Sequence, residues 1–125
     1  MPRLLTVGPI SGEDTNSLPV KEIAPAVAFY QSVLRFIVVR QNATAAVLAR
    51  DDVRIGLIRD PAHEPKKAGS IAFKVDDLEA LHSELKATGS HVSGFDTQEW
   101  DARKHRVFFL REDENGYCYC FFRPL

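Results

Sequence analysis

The side chains best suited to nucleophilic or soft-metal chemistry are two thiols, Cys118 and Cys120, near the end of the chain. In a β-strand, residues two apart share one face but are spaced along it, which is poor geometry for a disulfide. We therefore expect free thiols in a reducing compartment. A thiol metal site and a reactive catalytic thiol are both disfavoured, because the sequence places no group nearby that would complete the site or lower the thiol pKa.

Imidazole and carboxylate groups give equally weak signals. The four histidines are His63, His82, His91 and His105. None has a partner at the i, i+4 spacing that puts two ligands on one helix face, so surface or capping roles are predicted for all four. Glu13 and Asp14 lie in a polar stretch and are interpreted as exposed loop acids.

Bulk properties limit the function classes. The chain has 125 residues, which suits a single domain. Its formal net charge is -1 and its basic residues are scattered, so neither nucleic acid nor a membrane surface is expected as a partner. The chain start lacks the pattern of a secretory signal and no apolar run approaches membrane-spanning length, so a cytoplasmic location is expected.

The first half of the chain has the pattern of one strand, one helix and three further strands. The predicted strands are Arg3 to Ile10, Phe36 to Arg40, Ala45 to Ala49 and Val53 to Ile58. Ser11 to Pro19 is polar and predicted as a loop, whereas Lys21 to Phe36 has the three- and four-residue apolar spacing of a helix. Residues 61–68 form a polar linker.

The same order repeats in the second half. The predicted strands are Ser70 to Val75, a short one at His91 to Gly94, Arg106 to Leu110 and Tyr117 to Phe122. A helix capped by Asp76 or Asp77 runs to about Thr88, and Asn115-Gly116 is a strong turn signal. We therefore predict an α+β fold, a single domain of two βαβββ modules at about 1–60 and 69–125 that form a curled mixed sheet around a cavity.

Three motifs carry a family resemblance. Ala26 to Phe36 (AVAFYQSVLRF) resembles the end of the first helix in glyoxalase-type proteins, with Arg35 in place of the usual glycine. Ile71 to Ala80 (IAFKVDDLEA) resembles the opening of their second module, and Asp113 to Tyr117 (DENGY) the turn before their last strand. In this order and at these separations, the motifs identify the chain as a member of the vicinal oxygen chelate superfamily, which includes glyoxalases, bleomycin resistance proteins and extradiol dioxygenases.

The resemblance implies a divalent metal held by His and Glu side chains from both modules, which polarises a substrate with two neighbouring oxygens. Counted onto this sequence without a gap, the four ligand positions fall on Thr15, Gly56, Ser70 and Cys120. If a loop is inserted, the first position lies instead within Arg3 to Ile10, which contains no His, Asp or Glu. Hydroxyl groups, a glycine and a single thiol do not make a divalent-ion site. We therefore predict that this member has lost the metal ligands and uses no cofactor.

Strand alternation predicts which side chains face the cavity. In the second module these are Ser70, Ala72 and Lys74 on one strand and Cys118, Cys120 and Phe122 on another. Arg54, Gly56 and Ile58 are predicted to line the opposite wall. Trp100 is predicted to lie in a loop, Gln98 to Asp101, where it could stack on a flat ligand, and Arg106 or Arg111 could pair with an anionic one.

Three functions are compatible with this pattern. The favoured one is metal-free binding of a small, partly aromatic molecule, and the resemblance implies a homodimer with its pockets between subunits. The second is a lyase, isomerase or dioxygenase with unconventional metal ligands drawn from His105, Glu13 and Cys120. The third is a non-catalytic regulatory or interaction module, which a closed core without a cavity would favour.

Overall fold

A computed structural model describes residues 2–10 and 14–125 of the chain. Within these ranges the chain forms nine strands, two α-helices and a short 3-10 helix, Pro65–Lys67. In chain order the elements are β1 (Leu4–Pro9), β2 (Leu18–Val20), α1 (Ile23–Ser32), β3 (Ile37–Gln41), β4 (Ala45–Arg50), β5 (Val53–Arg59), β6 (Ser70–Val75), α2 (Leu78–Ala87), β7 (Asp96–Trp100), β8 (Arg103–Arg111) and β9 (Cys118–Pro124). Neither α-helix of these ranges is long and apolar enough to cross a membrane.

The strands form two sheets. The four-stranded sheet has the order β2-β5-β4-β3, and the five-stranded sheet has the order β1-β6-β9-β8-β7. In each, the first strand of a βαβββ unit lies parallel to the last strand of that unit, and the other neighbours are antiparallel. The predicted α+β class with two βαβββ modules is therefore confirmed, and the modules consist of β2 to β5 with α1 and of β6 to β9 with α2.

The N-terminal strand departs from the prediction. A strand does form within Arg3 to Ile10, but β1 pairs antiparallel with β6 at the edge of the five-stranded sheet and does not open the first module. The first module opens with β2, at the end of a segment predicted as a loop. Three residues that include a proline are too few to show alternation, so the sequence pattern missed this strand.

Backbone conformation sets the helix ends. Helix α1 is shorter than the predicted Lys21 to Phe36, and Arg35, which follows it, has a φ of 57° in the left-handed region. Helix α2 begins as predicted, because the Asp77 side chain accepts a hydrogen bond from the Ala80 N–H at 3.1 Å. The short strand predicted at His91 to Gly94 is wrong, since that stretch contributes only an isolated bridge.

The helix-covered sides of the two sheets share one core. From the first module, Tyr30 and Phe36 are buried and pack edge to face with ring centroids 5.3 Å apart. The rings of Phe36 and Phe73 of β6 also pack together, with centroids 6.2 Å apart. The Tyr119 hydroxyl of β9 donates a hydrogen bond to the Tyr30 hydroxyl at 2.8 Å. These contacts join the modules through the faces that bury most apolar area.

Each sheet therefore keeps a second face that points away from this shared core, which we call its open face. Two hollows on the open faces are each lined by one module, with β1 contributing to one of them, and further hollows lie where the two modules meet. Sequence patterning shows that each sheet has an apolar side, but it does not say which partner covers that side.

Candidate functional site

The candidate site lies on the open face of the five-stranded sheet. Alternation along β9 buries Tyr119 and Phe121 in the core and leaves Cys120 and Phe122 on the open face. A hollow of about 550 Å³ lies over this face. Its lining residues are Pro9, Ile10, Ser70, Ala72, Gln98, Trp100, Phe109, Cys120 and Phe122. This volume falls within the range of small-molecule sites.

An aromatic cluster forms one wall. The indole of Trp100 stacks on the imidazole of His105 with ring centroids 3.7 Å apart and planes 2° from parallel. Phe122 stands edge-on to both rings, at 5.2 and 5.6 Å. Stacked and edge-on arrangements match the charge distribution of aromatic rings, so the indole is held in place before any ligand arrives.

The β7–β8 hairpin positions this cluster. Its two turn residues, Asp101 and Ala102, have φ values of 53° and 58°, as two-residue hairpin turns require. The register then places Gln98 opposite His105 and Trp100 opposite Arg103. The prediction that Trp100 lies in a loop is wrong, because Asp96–Trp100 is an edge strand whose polar residues conceal its alternation.

Two histidines are buried, which contradicts the surface or capping roles predicted for all four. His105 is 6% exposed, and its Nδ1 has no hydrogen-bond partner among the described residues. His63 lies 5.8 Å from the parallel ring of Tyr117, and its Nε2 is 2.9 Å from the carbonyl oxygen of Asn115. His105 therefore supports the wall of the hollow, whereas His63 ties the linker to the turn before β9.

The floor of the hollow is a neutral thiol. Cys120 is 3% exposed, and burial raises the pKa of its thiol to about 11. Cys118 lies two residues earlier on the same face, half-buried and outside the lining of the hollow, and it pairs with Ser70 across the sheet. Both thiols are free, as predicted. A protonated thiol on an apolar floor contributes packing rather than nucleophilic chemistry.

The three candidate arginines are not brought together. Arg106 lies on the helix side of its strand, where it pairs with Glu79 at 3.2 Å and stacks over Phe95 at 4.2 Å, so its predicted approach to a ligand is wrong. Arg54 is exposed on the four-stranded sheet and forms no wall of the hollow. Arg111 pairs with Cys118, which places it on the open face beyond the lining residues.

The residues at the family's ligand positions do not fit a divalent metal. Ser70 and Cys120 belong to the five-stranded sheet, whereas Gly56 belongs to the four-stranded sheet and its N–H donates to the Thr15 carbonyl at 3.0 Å. A Cβ built on Gly56 would lie 2.0 Å from the carbonyl oxygen of Asn16, so the turn before β2 fills the space that a ligand side chain would need. Among residues 2–10 and 14–125 no group of three or more His, Cys, Asp and Glu side chains could hold a metal ion.

The unconventional ligand set does not converge either. Phe109 is the residue opposite Cys120, so His105 lies four positions further along β8. At strand spacing this is about 13 Å between backbones, which is too far for a shared ion. Glu13 lies outside the described residues.

Sequence reasoning missed several lining residues. Ile10 enters through the unexpected pairing of β1 with β6, and Gln98 enters through the unexpected strand β7. Phe109 sits in a continuous apolar run, Val107 to Leu110, whose parity cannot be read from residue type. The turn signal at Asn115-Gly116 fixes the last strand, from which the parity of β8 could have been counted back.

Comparisons with known proteins agree with this fold. The sequence model of the Glyoxalase/Bleomycin resistance protein/Dioxygenase superfamily matches residues 11–121. No curated protein gives a significant match. Among solved structures, a bleomycin resistance determinant encoded on the transposon Tn5 superimposes with a TM-score of 0.76 at 21% identity, covering 90% of this chain and 98% of its own.

Two further solved structures are similar. A bleomycin-binding protein complexed with bleomycin has a TM-score of 0.74 at 21% identity, with 90% of this chain and 98% of that chain covered. The bleomycin-binding protein of Streptomyces verticillus complexed with copper(II)-bleomycin has a TM-score of 0.66 at 24% identity, with 85% and 90% covered. At these identities the structures show a shared fold, while the sequence match spans nearly all of the chain. The chain belongs to the Glyoxalase/Bleomycin resistance protein/Dioxygenase superfamily.

Proposed function

We propose that this protein binds a small, partly aromatic molecule on the open face of the five-stranded sheet and does not transform it. The observation that carries the proposal is the hollow of about 550 Å³, with Trp100, Phe109 and Phe122 in its lining above the thiol of Cys120. Aromatic walls favour flat apolar rings, and the polar groups of Ser70 and Gln98 can orient them.

The chemistry of the lining favours holding over transformation. Among the described residues it contains no carboxylate, imidazole or charged side chain, and the pKa of its one thiol is raised to about 11. General acid–base or nucleophilic catalysis needs a group that changes protonation near the working pH. The presence of the hollow also argues against a scaffold whose only role is contact through a closed core.

The similar structures support the same class of ligand. Two of them hold bleomycin or copper(II)-bleomycin, which shows that this fold can bind a small molecule. The lining residues of the present chain give the more specific expectation of a flat ring system.

A second copy of the chain would complete the site. The described lining residues all belong to the five-stranded sheet or lie next to β1, and apolar side chains stay exposed on the open face of the four-stranded sheet, with Ile37 at 67% and Ile58 at 40%. If the four-stranded sheet of a second copy covered the hollow, the lining residues and the exposed isoleucines would both be buried. Sedimentation equilibrium tests this homodimer: the mass of two chains is expected, and the mass of one chain at micromolar concentration contradicts it.

The binding proposal is tested by titration. Trp100 is the only tryptophan, so its fluorescence reports directly on the hollow. We expect flat aromatic compounds from a chemically varied panel, bleomycin included, to change this fluorescence saturably. Calorimetry on the same compounds then gives affinities that do not depend on the indole.

Two phenylalanine truncations form a matched pair for that titration. Phe122→Ala removes a wall of the hollow and is expected to weaken binding about tenfold. Phe95→Ala removes a half-buried ring packed against the core, beneath Arg106, and is expected to leave binding unchanged. Absence of saturable binding across the panel, or equal losses in the two variants, would rule out this site.

A further inference from the structure

The open face of the five-stranded sheet carries cations around an uncharged centre. Lys74 pairs with Phe122 across the sheet and so lies beside the aromatic wall. Arg111 pairs with Cys118 at the opposite end of the same strands, where it also lines a neighbouring hollow with Glu112 and Asp113. Arg103 pairs with Trp100 and therefore lies on this face as well. The described lining residues between these three cations carry no charge.

Unlike Arg106 and Arg123 on the helix side of the same sheet, these three cations lack carboxylate partners in the described part of the chain. Within residues 2–10 and 14–125, neither Lys74 nor Arg111 forms an ion pair, and neither does Arg103. Nearby acids on the helix side are already engaged: Glu79 pairs with Arg106 at 3.2 Å and with Arg123 at 3.4 Å. Cations left without internal partners around an apolar hollow can receive an external anion.

Acidic side chains are scarce on this face. Alternation along β7 places only Asp96 on the side of Gln98 and Trp100, and its carboxylate accepts a hydrogen bond from the Thr97 N–H at 2.8 Å. Asp96 is also separated from Lys74 by two intervening strands, β8 and β9. Within the five strands of this sheet, three cations therefore share the open face with one carboxylate, on a protein whose formal net charge is -1.

The open face of the four-stranded sheet has the same sign. Arg40 and Arg54 both lie on the side of Gly56 by register, and both are exposed without an ion pair among the described residues. If a second copy covers the hollow with this face, it adds positive charge and no compensating acid from β3, β4 or β5, whose sequences contain none. A cationic guest would be disfavoured in either arrangement.

We propose that the ligand is an aromatic anion, a ring system bearing a carboxylate or a similar acidic group. Its rings lie against Trp100 and Phe122, and its acidic group is paired with Lys74 or Arg111. This inference rests on the proposed function, because it specifies the guest of the same hollow. An ammonium or guanidinium in Lys74 or Arg111 favours an anion through long-range attraction and through direct pairing.

Three probes with one ring system isolate the charge: 2-naphthoate, naphthalene-2-methanol and naphthalen-2-ylmethylammonium. Calorimetric titration of the full chain at low salt is expected to give at least about fivefold tighter binding for the carboxylate than for the alcohol, and the weakest binding for the ammonium. The preference should shrink when salt is added, because partly exposed charges are screened.

Charge-removing variants locate the effect. Lys74→Gln and Arg111→Gln are each expected to reduce the preference for the carboxylate about two- to threefold, with the affinity for the alcohol unchanged. Lys86→Gln is the matched control, since Lys86 is an exposed lysine in the last turn of α2. It should bind all three probes as the wild-type chain does.

The outcomes separate the two proposals. If the alcohol binds as tightly as the carboxylate, or the ammonium binds most tightly, the hollow binds aromatic molecules but the anion inference is wrong. If the preference persists in both glutamine variants, it has another origin and the assignment to Lys74 and Arg111 is overturned. If none of the three probes binds, the hollow does not accept flat rings, and both proposals fail.

Discussion

The two open faces are built on the same strand plan but differ in what covers them. On the four-stranded sheet the turn before β2 lies directly over Gly56, and the hollow beside that turn is about 260 Å³. On the five-stranded sheet the corresponding position is Cys120, and the space above it remains open as a hollow of about 550 Å³. The same βαβββ order therefore gives one face whose centre is covered by a turn of the chain and one whose centre lies beneath a hollow.

The difference depends on the segments that precede the two modules. The turn that leads into β2 folds back over its own sheet, so the Thr15 carbonyl accepts the Gly56 N–H at 3.0 Å. Ahead of β6, the linker carries Pro65, whose carbonyl oxygen would lie 2.2 Å from a Cβ on Gly116, so it packs against the turn before β9. The linker thus runs at the end of the five-stranded sheet rather than across its face, and the centre of that face stays accessible.

The largest expected effect comes from placing a side chain under the covering turn. Gly56→Ala puts a methyl group 2.0 Å from the Asn16 carbonyl oxygen, a distance that only displacement of backbone can relieve. We expect the free energy of unfolding to fall by about 3 kcal/mol, which is the upper end of the usual cost of overpacking. Urea denaturation followed by far-ultraviolet circular dichroism measures this loss.

A null result would be equally informative. If Gly56→Ala unfolds at the wild-type urea concentration, the turn yields easily, and the four-stranded sheet is as open as its neighbour. In that case the contrast between the two faces would disappear, and a ligand could bind to either.

The sequence predicted the second module better than the first. Ser70 to Val75 alternates cleanly, and β6 has those bounds because one side faces a helix and the other does not. Parity along β9 likewise follows from Tyr119 and Phe121, which are large and buried. Four of the lining residues were predictable because each lies on a strand with one helix-covered side: Ser70, Ala72, Cys120 and Phe122.

Other parts of the site depend on contacts that leave no local pattern. Asp96–Trp100 is a strand only because it pairs with β8, and most of its residues are exposed and polar. The pairing of β1 with β6 and the burial of His105 beneath Trp100 likewise depend on tertiary contacts. The two sheets also share a core through their helix-covered sides, which separates their open faces. This arrangement depends on tertiary packing and cannot be read from the periodicity of the sequence.

The second effect concerns the floor of the open hollow. Burial raises the pKa of Cys120 to about 11, against 9.0 for an ordinary thiol, so the thiolate population below pH 9 is about 100-fold lower. In a Cys118→Ser variant, which leaves one thiol, we expect alkylation by iodoacetamide at pH 8 to be about 100-fold slower than for a free thiol. The rate should continue to rise until about pH 11.

The raised pKa of Cys120 also determines how the stability of the fold changes with pH. Because folding raises the pKa of Cys120, the folded state favours the neutral thiol. The contribution of this thiol to the free energy of unfolding is therefore fully present below about pH 9 and is lost as the pH rises towards 11. The matched variant, Cys120→Ser, reports on Cys118, which is more exposed and should react faster at pH 8. Equal rates for the two thiols, followed by mass spectrometry, would show that the floor is not closed.

The smallest expected effect is on stability and comes from Gly8→Ala, the counterpart of Gly56→Ala on the other sheet. Gly8 lies on β1 opposite Ala72, at the margin of the open hollow, and a Cβ there meets no atom within 4 Å. Gly8→Ala should therefore raise the free energy of unfolding by about 0.5 kcal/mol, because alanine restricts the unfolded chain more than glycine does. The chemical change is the same as in Gly56→Ala and both glycines lie on strands, so opposite signs in the same urea experiment would isolate the covering turn as the cause. A loss at Gly8 as large as that at Gly56 would mean instead that any added methyl group disturbs these sheets, and the difference between a filled face and an open one would have no energetic basis.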